Sequence, residues 1–286
     1  MGPGSLQTLQ NIRELLESRG LSPRKSLGQN FLIDHNLIRK LVDAAGLQPE
    51  ELVLEVGPGT GALTDELLMR GCQIIACEMD QGLAALLRER LADPQKELGA
   101  PASARFTLVE GDCLESKKQL SHEVIAALAG QPFTLVANLP YGAATPLMMT
   151  LLIDHSGCKS MHVTIQREVA DRLAAAHGTK EYGPISIVAQ AVCEVKRVAS
   201  LPPECFWPRP DVTSAMISLS RLHKPLTNDP GKLGAFCQQV FSKRRKQLGS
   251  TLGRDTAWPA GVRPENRIEE LSVDRVVALC AAVASL

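Results

Sequence analysis

The chain has 286 residues, 44% of them hydrophobic, which is enough to bury a core in one large domain or two smaller ones. Its 31 Lys and Arg residues balance its 31 Asp and Glu residues, so any contact with a polyanion must depend on local clusters of positive charge. The sequence has no membrane-length apolar run, no apolar signal core and no C-x-x-C spacing, so we expect a cytoplasmic protein with reduced thiols and no metal site.

The chain begins with a segment of helical periodicity. Residues 7–19 place apolar side chains at helical spacing and stop at Gly20. Residues 22–31 have no periodicity and carry positive charge, which predicts a basic loop. Asp34 then stands where it can cap a second helix.

Short apolar runs alternate with amphipathic segments over the next part of the chain. This βαβ rhythm predicts a mainly parallel sheet covered on both faces. The predicted strands are 52–56, 73–78, 105–110, 133–138 and 160–166, and the predicted helices between them are 61–70, 80–92, 118–129 and 145–154.

Two later runs, 185–193 and 213–219, predict further strands. The prolines between them, Pro202, Pro203, Pro208 and Pro210, lead us to expect no regular structure there. Residues 229–252 and 265–284 have helical spacing without further βα units. We therefore place a small helical domain at the C-terminal end of the chain.

The first strand of the predicted sheet runs into a glycine-rich turn that opens a helix. Glycines let the backbone approach a ligand closely, and the helix start offers free N–H groups. The turn contains Gly57, Gly59 and Gly61. A loose match to G-x-G-x-x-A leaves a dinucleotide site open. Glu55 favours S-adenosylmethionine, because a carboxylate there would repel a pyrophosphate and suit a methionine ammonium.

Two further carboxylates follow the next predicted strands. Glu78 can accept hydrogen bonds from both hydroxyls of a ribose, a feature that enzymes using NAD share. Asp112 can accept a hydrogen bond from an adenine amino group. Because ligands of open α/β sheets bind at the carboxyl ends of the strands, these residues predict a nucleotide-like cofactor at one edge.

The fourth strand of the predicted sheet ends in a tetrapeptide suited to grip a flat base. The side-chain oxygen of Asn138 and the backbone carbonyl of Leu139 can accept both hydrogens of an exocyclic amine. Pro140 fixes the local backbone, and Tyr141 offers a ring on which a base can stack. A simple β-turn is the structural alternative. Beside the glycine turn, the tetrapeptide predicts methyl transfer to an adenine amine.

These motifs occur together with several others in a fixed order. They are Lys25–Leu32, the glycine turn, Glu78, Gly111–Asp112, Asn138–Tyr141, Gln166–Val169, Tyr182–Gly183, Phe206–Ser214 and Arg244–Leu248. In this order and spacing, over roughly residues 23–286, the chain resembles the ribosomal RNA adenine N6,N6-dimethyltransferases. The resemblance is to the bacterial small-subunit (16S) type, whose loss confers kasugamycin resistance.

The resemblance implies a class I methyltransferase fold, α/β and Rossmann-like, with a mainly parallel seven-stranded sheet and a small all-α C-terminal domain. We expect a helical extension over 1–22, a catalytic domain over 23–222 and an RNA-contacting helical domain over 223–286. The expected cofactor-binding residues are Gln29, Asn30, Leu32, Glu55, Gly57, Gly59, Gly61, Glu78, Asp112 and Asn138. Phe206 joins the tetrapeptide in the catalytic set, either stacking on the target adenine opposite Tyr141 or anchoring the proline-rich loop.

The implied substrate is a pair of adjacent adenosines in a hairpin loop near the 3′ end of small-subunit RNA, each of which receives two methyl groups. The implied partner is the immature small ribosomal subunit, bound by a monomer that takes part in ribosome biogenesis. The expected RNA-binding residues are Arg24, Lys25, Lys243, Arg244, Arg245 and Lys246, for which a solvated helix face is the alternative. The family commonly has Asn-Ile-Ser after the tyrosine, where this chain has Gly142-Ala143-Ala144.

Other functions fit parts of the pattern. The large-subunit relatives that confer macrolide resistance share the tetrapeptide, but residues 182–183 and the proline-rich loop favour the small-subunit type. A DNA adenine methyltransferase usually has a larger target-recognition region. A binding protein that checks ribosome assembly would need no catalytic chemistry, and this role can coexist with catalysis. A nicotinamide dehydrogenase would need a set of hydride-transfer residues, which we do not find.

Overall fold

The computed structural model describes residues 7–253 and 256–283. Its strands are β1 (Phe31–Leu32), β2 (Leu52–Val56), β3 (Gln73–Glu78), β4 (Arg105–Glu110), β5 (Leu114–Ser116), β6 (Gln119–Leu120), β7 (Phe133–Asn138), β8 (Cys158–Gln166), β9 (Cys193–Leu201), β10 (Phe206–Trp207) and β11 (Ser214–Arg221). Its helices are α1 (Leu9–Glu17), α2 (His35–Ala45), α3 (Ala62–Met69), α4 (Gln81–Arg90), α5 (Pro94–Leu98), α6 (His122–Leu128), α7 (Tyr141–Asp154), α8 (Arg167–Leu173), α9 (Pro184–Val192), α10 (Pro230–Phe241), α11 (Leu248–Leu252) and α12 (Val273–Val283). None of the helices in that part of the chain is both long and apolar enough to cross a membrane.

Seven strands form one sheet in the order β4-β3-β2-β7-β8-β11-β9. Neighbouring strands from β4 to β8 run parallel. Two small antiparallel pairs, β1 with β10 and β5 with β6, stand apart from this sheet. The predicted class I α/β fold with a seven-stranded, mainly parallel sheet is confirmed.

The strands predicted at 52–56, 73–78, 105–110 and 133–138 coincide residue for residue with β2, β3, β4 and β7. Most of their residues are apolar, since strands of a parallel sheet are covered on both faces. The predicted cap of α2 is also confirmed, because Asp34 Oδ1 accepts the N–H groups of Asn36 and Leu37 at 2.9 and 3.2 Å.

The strand predicted at 185–193 is wrong, because residues 185–192 belong to α9 and Cys193 begins β9. Pro184 occupies the first turn, and the buried Ser186 side chain accepts the Gly183 N–H at 3.1 Å. An apolar run of nine residues does not by itself distinguish a strand from a helix buried on all sides. The seventh strand is β9 instead, a half-exposed strand at the edge of the sheet.

Four other predicted segments differ from the structure. The proline-rich segment holds a short 3-10 helix, Pro203–Cys205, and β10, which pairs with β1. The helix predicted at 118–129 begins only at His122, after the β5–β6 hairpin. The helix predicted at 229–252 is interrupted by a turn at residues 242–247, and that predicted at 265–284 is reduced to a 3-10 helix, Ile268–Glu270, followed by α12.

The chain divides into two compact units. The first comprises, among the described residues, 7–150, 157–167 and 197–218, and its buried core takes in α1 through Ile12 and Leu16. The second comprises the described residues of 151–156, 168–196 and 219–283, and in it α9 packs against α10 and α12. The second unit thus groups residues 168–196 with the C-terminal helices. The limits 1–22, 23–222 and 223–286 stay a prediction.

Ser186→Ala should destabilise the protein, because two backbone groups lose a buried partner. The Ser186 hydroxyl accepts from the Gly183 N–H and donates to the Arg172 carbonyl at 2.5 Å. We expect a loss of about 1–3 kcal/mol in the free energy of unfolding, measured with urea. The exposed Ser250→Ala is the matched control, and equal losses in the two variants would contradict the capping role.

Candidate functional site

A cavity of about 440 Å³ lies in the first unit, at the carboxyl ends of β2, β3, β4 and β7. Its volume falls within the range of small-ligand sites. Fourteen of the predicted site residues line it: Lys25, Gln29, Asn30, Leu32, Glu55, Gly57, Gly59, Glu78, Asp112, Asn138, Leu139, Pro140, Tyr141 and Phe206. The parallel register therefore gathers around one space residues that lie far apart in the chain.

Gly57 and Gly59 are required by their backbone conformation, and Gly59 also by a neighbouring side chain. Gly59 has φ +62°, and a Cβ there would lie 2.8 Å from the Phe31 ring. Gly57 has φ +71°, a backbone conformation that strains other residues, and a Cβ there would lie in ordinary contact with Pro140 at 3.4 Å. Residues 24–32, which contain the 3-10 helix Lys25–Leu27 and β1, are called the 24–32 loop. The turn needs glycine at position 59 to pack against this loop and at position 57 to adopt its backbone conformation.

Gly61 does not line the cavity, and the contact predicted for it with a cofactor stays a prediction. It begins α3 and lies against the Arg90 guanidinium, which would collide with a Cβ. Arg90 Nη2 donates to the Thr60 carbonyl at 3.0 Å and pairs with Asp65. Arg90 thereby supports the end of the glycine turn.

Glu55 lies on β2 below the glycine turn and is only 1% exposed. Thr64 Oγ1 donates to its Oε2 at 2.8 Å. Burial raises the pKa of Glu55 to about 8, since its negative charge loses the solvation of water. A cationic group entering the cavity would favour the ionised carboxylate.

Glu78, at the end of β3, is held between two backbone donors. Its Oε1 accepts the Asp80 N–H at 2.9 Å, and its Oε2 accepts the Gly59 N–H at 3.1 Å. Burial raises the pKa of Glu78 while these hydrogen bonds oppose the shift. Each oxygen keeps a second lone pair, so the carboxylate can still accept hydroxyl groups of a ligand.

Asp112 follows β4 and is exposed to solvent. Its Oδ1 accepts the Leu114 N–H at 2.9 Å, which starts the β5–β6 hairpin beside the cavity. A carboxylate in this position can accept from an amino group at the open side of the cavity.

The orientation of the Asn138 amide is fixed by the 24–32 loop. Asn138 Nδ2 donates to the Asn30 carbonyl at 2.8 Å. Because a carbonyl can only accept, the nitrogen must face the loop, and within the described residues Oδ1 accepts no hydrogen bond. The side-chain oxygen that the predicted grip requires is therefore available as an acceptor.

The remaining tetrapeptide residues join β7 to α7. The Leu139 N–H donates to the Thr164 carbonyl of β8 at 3.1 Å, which fixes the backbone of a residue that lines the cavity. Tyr141 shares a hydrogen bond of 2.8 Å with Ser214 Oγ, so its ring is held from the far end. Burial raises the pKa of the Tyr141 hydroxyl.

Phe206 is 3% exposed and pairs, through β10, with Leu32 of β1. It belongs to the buried core and also contributes to the cavity wall. In this structure Phe206 anchors the proline-rich loop, and its stacking on a base stays a prediction.

The predicted RNA-binding residues fall into two groups. Lys25 is exposed at the cavity, whereas the neighbouring Arg24 pairs with Asp80 at 3.3 Å. In the second unit Lys243, Arg245 and Lys246 are exposed in the turn after α10.

Arg244, which also lies in that turn, points into the second unit. It pairs with Glu269 and donates to the carbonyls of Thr179 and Lys180 at 2.9 Å. Its three partners give Arg244 a structural role that a run of basic residues in the sequence does not reveal.

Two supporting residues, Asp80 and Arg90, were missed by the sequence analysis, and Ser214 entered it only as the last residue of a family motif. Asp80 carried a usable signal, because an aspartate at the first position of a predicted helix is an N-cap candidate. The contacts of Arg90 with Asp65 and of Ser214 with Tyr141 carried no local signal, since the partners lie 25 and 73 positions away. Among the described residues, no cluster of His, Cys, Asp and Glu is arranged to hold a metal ion.

Comparison with known proteins gives a consistent family. The family model "Ribosomal RNA adenine dimethylase" matches residues 20–284. The ribosomal RNA small subunit methyltransferase A of Streptomyces avermitilis is 38% identical over 284 residues, covering 95% of this chain and 92% of that protein. The protein of the same name from Phenylobacterium zucineum is also 38% identical, with 97% and 94% covered.

Two solved structures are similar to the chain. The 23S rRNA methyltransferase ErmE superposes with a TM-score of 0.66 at 25% identity, covering 89% of this chain and 100% of that one. A dimethyladenosine transferase from Plasmodium falciparum has a TM-score of 0.68 at 21% identity, covering 87% and 95%, and this likeness concerns the fold.

Glu55→Gln should change how the free energy of unfolding depends on pH. The folded protein keeps the Glu55 proton up to about pH 8, whereas the unfolded chain releases it above the ordinary pKa of 4.5. The wild type therefore binds more protons when folded and loses stability as the pH rises through this window. Glutamine is neutral throughout and can still accept from Thr64.

The variant should thus gain stability relative to wild type between pH 5 and 8.5, by up to roughly 4 kcal/mol. Urea unfolding of the ligand-free protein across this range measures the difference. Glu123→Gln, on the exposed face of α6, controls for the loss of a surface carboxylate. If the free energies of unfolding of wild type and Glu55→Gln change with pH in parallel, the raised pKa of Glu55 would be refuted.

Proposed function

The chain belongs to the ribosomal RNA adenine dimethylase family, and we propose that it dimethylates N6 of two adjacent adenosines near the 3′ end of small-subunit (16S) RNA. It is an S-adenosylmethionine-dependent rRNA adenine dimethyltransferase by family. The target adenosines lie in a hairpin loop, and the substrate is the immature small subunit. The protein binds this subunit in the cytoplasm as a monomer. The relatives at 38% identity carry the small-subunit name, which favours that subunit over the large one.

One observation carries the proposal: Asn138 lines the cavity beside the glycine turn, and the hydrogen bond from its Nδ2 to the Asn30 carbonyl leaves its Oδ1 as an acceptor. The N6 lone pair of adenine is delocalised into the ring, so the amine is a poor nucleophile. Two acceptors, Asn138 Oδ1 and the Leu139 carbonyl, can bind both N6 hydrogens and favour a pyramidal nitrogen. No strong base is needed, because the alkylated nitrogen is acidic and loses its proton to water. The main contribution of the site is positioning.

The residues around the cavity fit S-adenosylmethionine, which supplies an electrophilic sulfonium methyl group when bound. Glu55 suits a methionine ammonium, because a buried carboxylate gains most from a cationic partner. Glu78 keeps lone pairs for ribose hydroxyls, and Asp112 lies where it can accept from the adenine amine. Gln29, Asn30 and Leu32 cover the cavity from the loop.

The second methylation needs space for the first methyl group. Gly142 and Ala143 line the cavity directly after the tetrapeptide, and a Cβ at Gly142 would meet nothing within 4 Å. The small side chains in the first turn of α7 leave room beside the amine grip. A monomethylated adenine can therefore re-enter with its remaining N–H facing one acceptor.

Recognition of RNA beyond the target base is assigned to exposed basic residues. Lys25 lies at the mouth of the cavity, and Lys243, Arg245 and Lys246 extend from the turn after α10. Contacts of this kind bind phosphates and release counterions, so they make affinity depend on salt. A loop adenosine costs less to extrude than a base within a duplex, which suits a hairpin target.

The decisive assay incubates the protein and cofactor with small subunits that lack this modification, followed by mass spectrometry of the RNA. N6,N6-dimethyladenosine is expected at both adjacent positions, and large subunits treated in parallel should remain unmodified. Absence of the product from small subunits, while a known relative succeeds beside it, would overturn the proposal.

Asn138→Ala should reduce the rate of methyl transfer by about 10²-fold or more, as expected for loss of an oriented hydrogen-bond acceptor. Cofactor binding, measured by calorimetry, should remain detectable because the buried carboxylates are untouched. An Asn138→Ala enzyme with near-normal turnover would show that the amine is gripped elsewhere.

A combined Lys243→Ala, Arg245→Ala and Lys246→Ala variant should bind RNA more weakly at low salt. The slope of log affinity against log salt should fall by about 2–3, if each side chain contacts one phosphate. Arg244→Ala should instead lower the melting temperature, because its contacts to Glu269 and two carbonyls are lost. An unchanged salt slope in the triple variant would place the RNA on another surface.

A further inference from the structure

Asp80 is a buried carboxylate, 3% exposed, two residues beyond the cavity carboxylate Glu78. Its Oδ1 caps α4 by accepting the N–H groups of Gly82 and Leu83 at 2.9 and 3.2 Å. Its Oδ2 faces the 24–32 loop, where it meets Arg24 Nε at 3.3 Å and Gln29 Nε2 at 3.2 Å. One carboxylate therefore joins the start of α4 to a loop more than 50 positions earlier in the chain.

The two loop residues that meet Asp80 also bind each other. The Arg24 N–H donates to Gln29 Oε1 at 2.7 Å, across the 3-10 helix Lys25–Leu27. Both ends of the turn at 24–29 are thus fixed at the same oxygen of Asp80. The turn cannot move away from the cavity without breaking the contacts of both side chains.

The remainder of the loop contacts the groups assigned to binding and catalysis. The Asn30 carbonyl orients the Asn138 amide, and the Phe31 ring lies on Gly59. The Asp80 N–H, on the other side, holds Glu78 Oε1. Asp80 is therefore a common anchor for the ribose-facing carboxylate and for the loop that orients the catalytic amide.

We propose that the Arg24–Asp80 ion pair holds the 24–32 loop over the cofactor cavity, which makes Arg24 and Asp80 positioning residues. This inference rests on the proposed function and changes the assignment of Arg24, which the sequence placed among the RNA contacts. The Arg24 side chain is 57% exposed, but its partner is buried. Removing the Arg24 guanidinium leaves the buried Asp80 carboxylate without its cationic partner. The resulting loss of free energy is therefore larger than for an ion pair in which both side chains are exposed.

Arg24→Ala should raise the KM for the cofactor by about three- to tenfold, with a smaller change in kcat and an unchanged KM for RNA. Arg24→Lys should restore much of the affinity, because a positive charge is retained beside Asp80. Arg19→Ala is the matched control: Arg19 lies between α1 and the 24–32 loop, pairs with Glu89 of the same helix α4, and does not line the cavity. It should leave the KM for the cofactor unchanged.

A double-mutant cycle tests the pair itself. Asp80→Asn preserves the cap of α4, since asparagine caps as well as aspartate, and removes the charge. Arg24→Ala should lose most of its effect in the Asp80→Asn background, because the interaction it disrupts is already absent. Additive effects of the two substitutions would overturn the proposal.

Calorimetry of cofactor binding without RNA gives a readout independent of methyl transfer. Effects of the Arg24 and Asp80 substitutions on cofactor affinity that are not additive would support the inference, even if the small subunit proves not to be the substrate. If Arg24→Ala instead leaves cofactor affinity intact, weakens RNA binding and lowers its salt dependence, then Arg24 is an RNA contact and the inference is wrong.

Discussion

The parallel register of β4, β3, β2 and β7 is the constraint on which the rest of the site depends. It brings the ends of four strands, and the loops that follow them, to one edge of the sheet. The crossover helices lie on the faces, so this edge stays free for a ligand. Glu55, Glu78, Asp112 and Asn138 then surround one cavity although they are separated by up to 83 positions.

Buried carboxylates give this edge its chemical character. Glu55 and Glu78 both have raised pKa values because burial disfavours their charge, and backbone or hydroxyl donors offset part of that cost. Such buried carboxylates lower the stability of the folded protein, and the same burial suits them to bind a cation and hydroxyl groups firmly. The 24–32 loop completes the arrangement, since it packs on the glycine turn and orients Asn138.

Sequence patterns predicted the sheet well and the later segments less well. The four strands β2, β3, β4 and β7 were predicted to the residue, because each is a short, largely apolar run that ends at turn residues. The run at 185–193 failed because both a buried strand and a fully buried helix are apolar throughout. There the decisive feature was local, a proline in the first turn and a serine cap at the start of α9.

The sequence by itself determined the family, the fold and the residues around the cavity, because each motif is contiguous and the main ones follow strands whose place in the sheet follows from the βαβ order. Only the tertiary structure decided the partners of the charged side chains. Arg24 and Arg244 look like free basic residues in the sequence, yet they pair with Asp80 and Glu269. A contact between residues far apart in the chain depends on how loops and helices pack, and no local pattern encodes that distance.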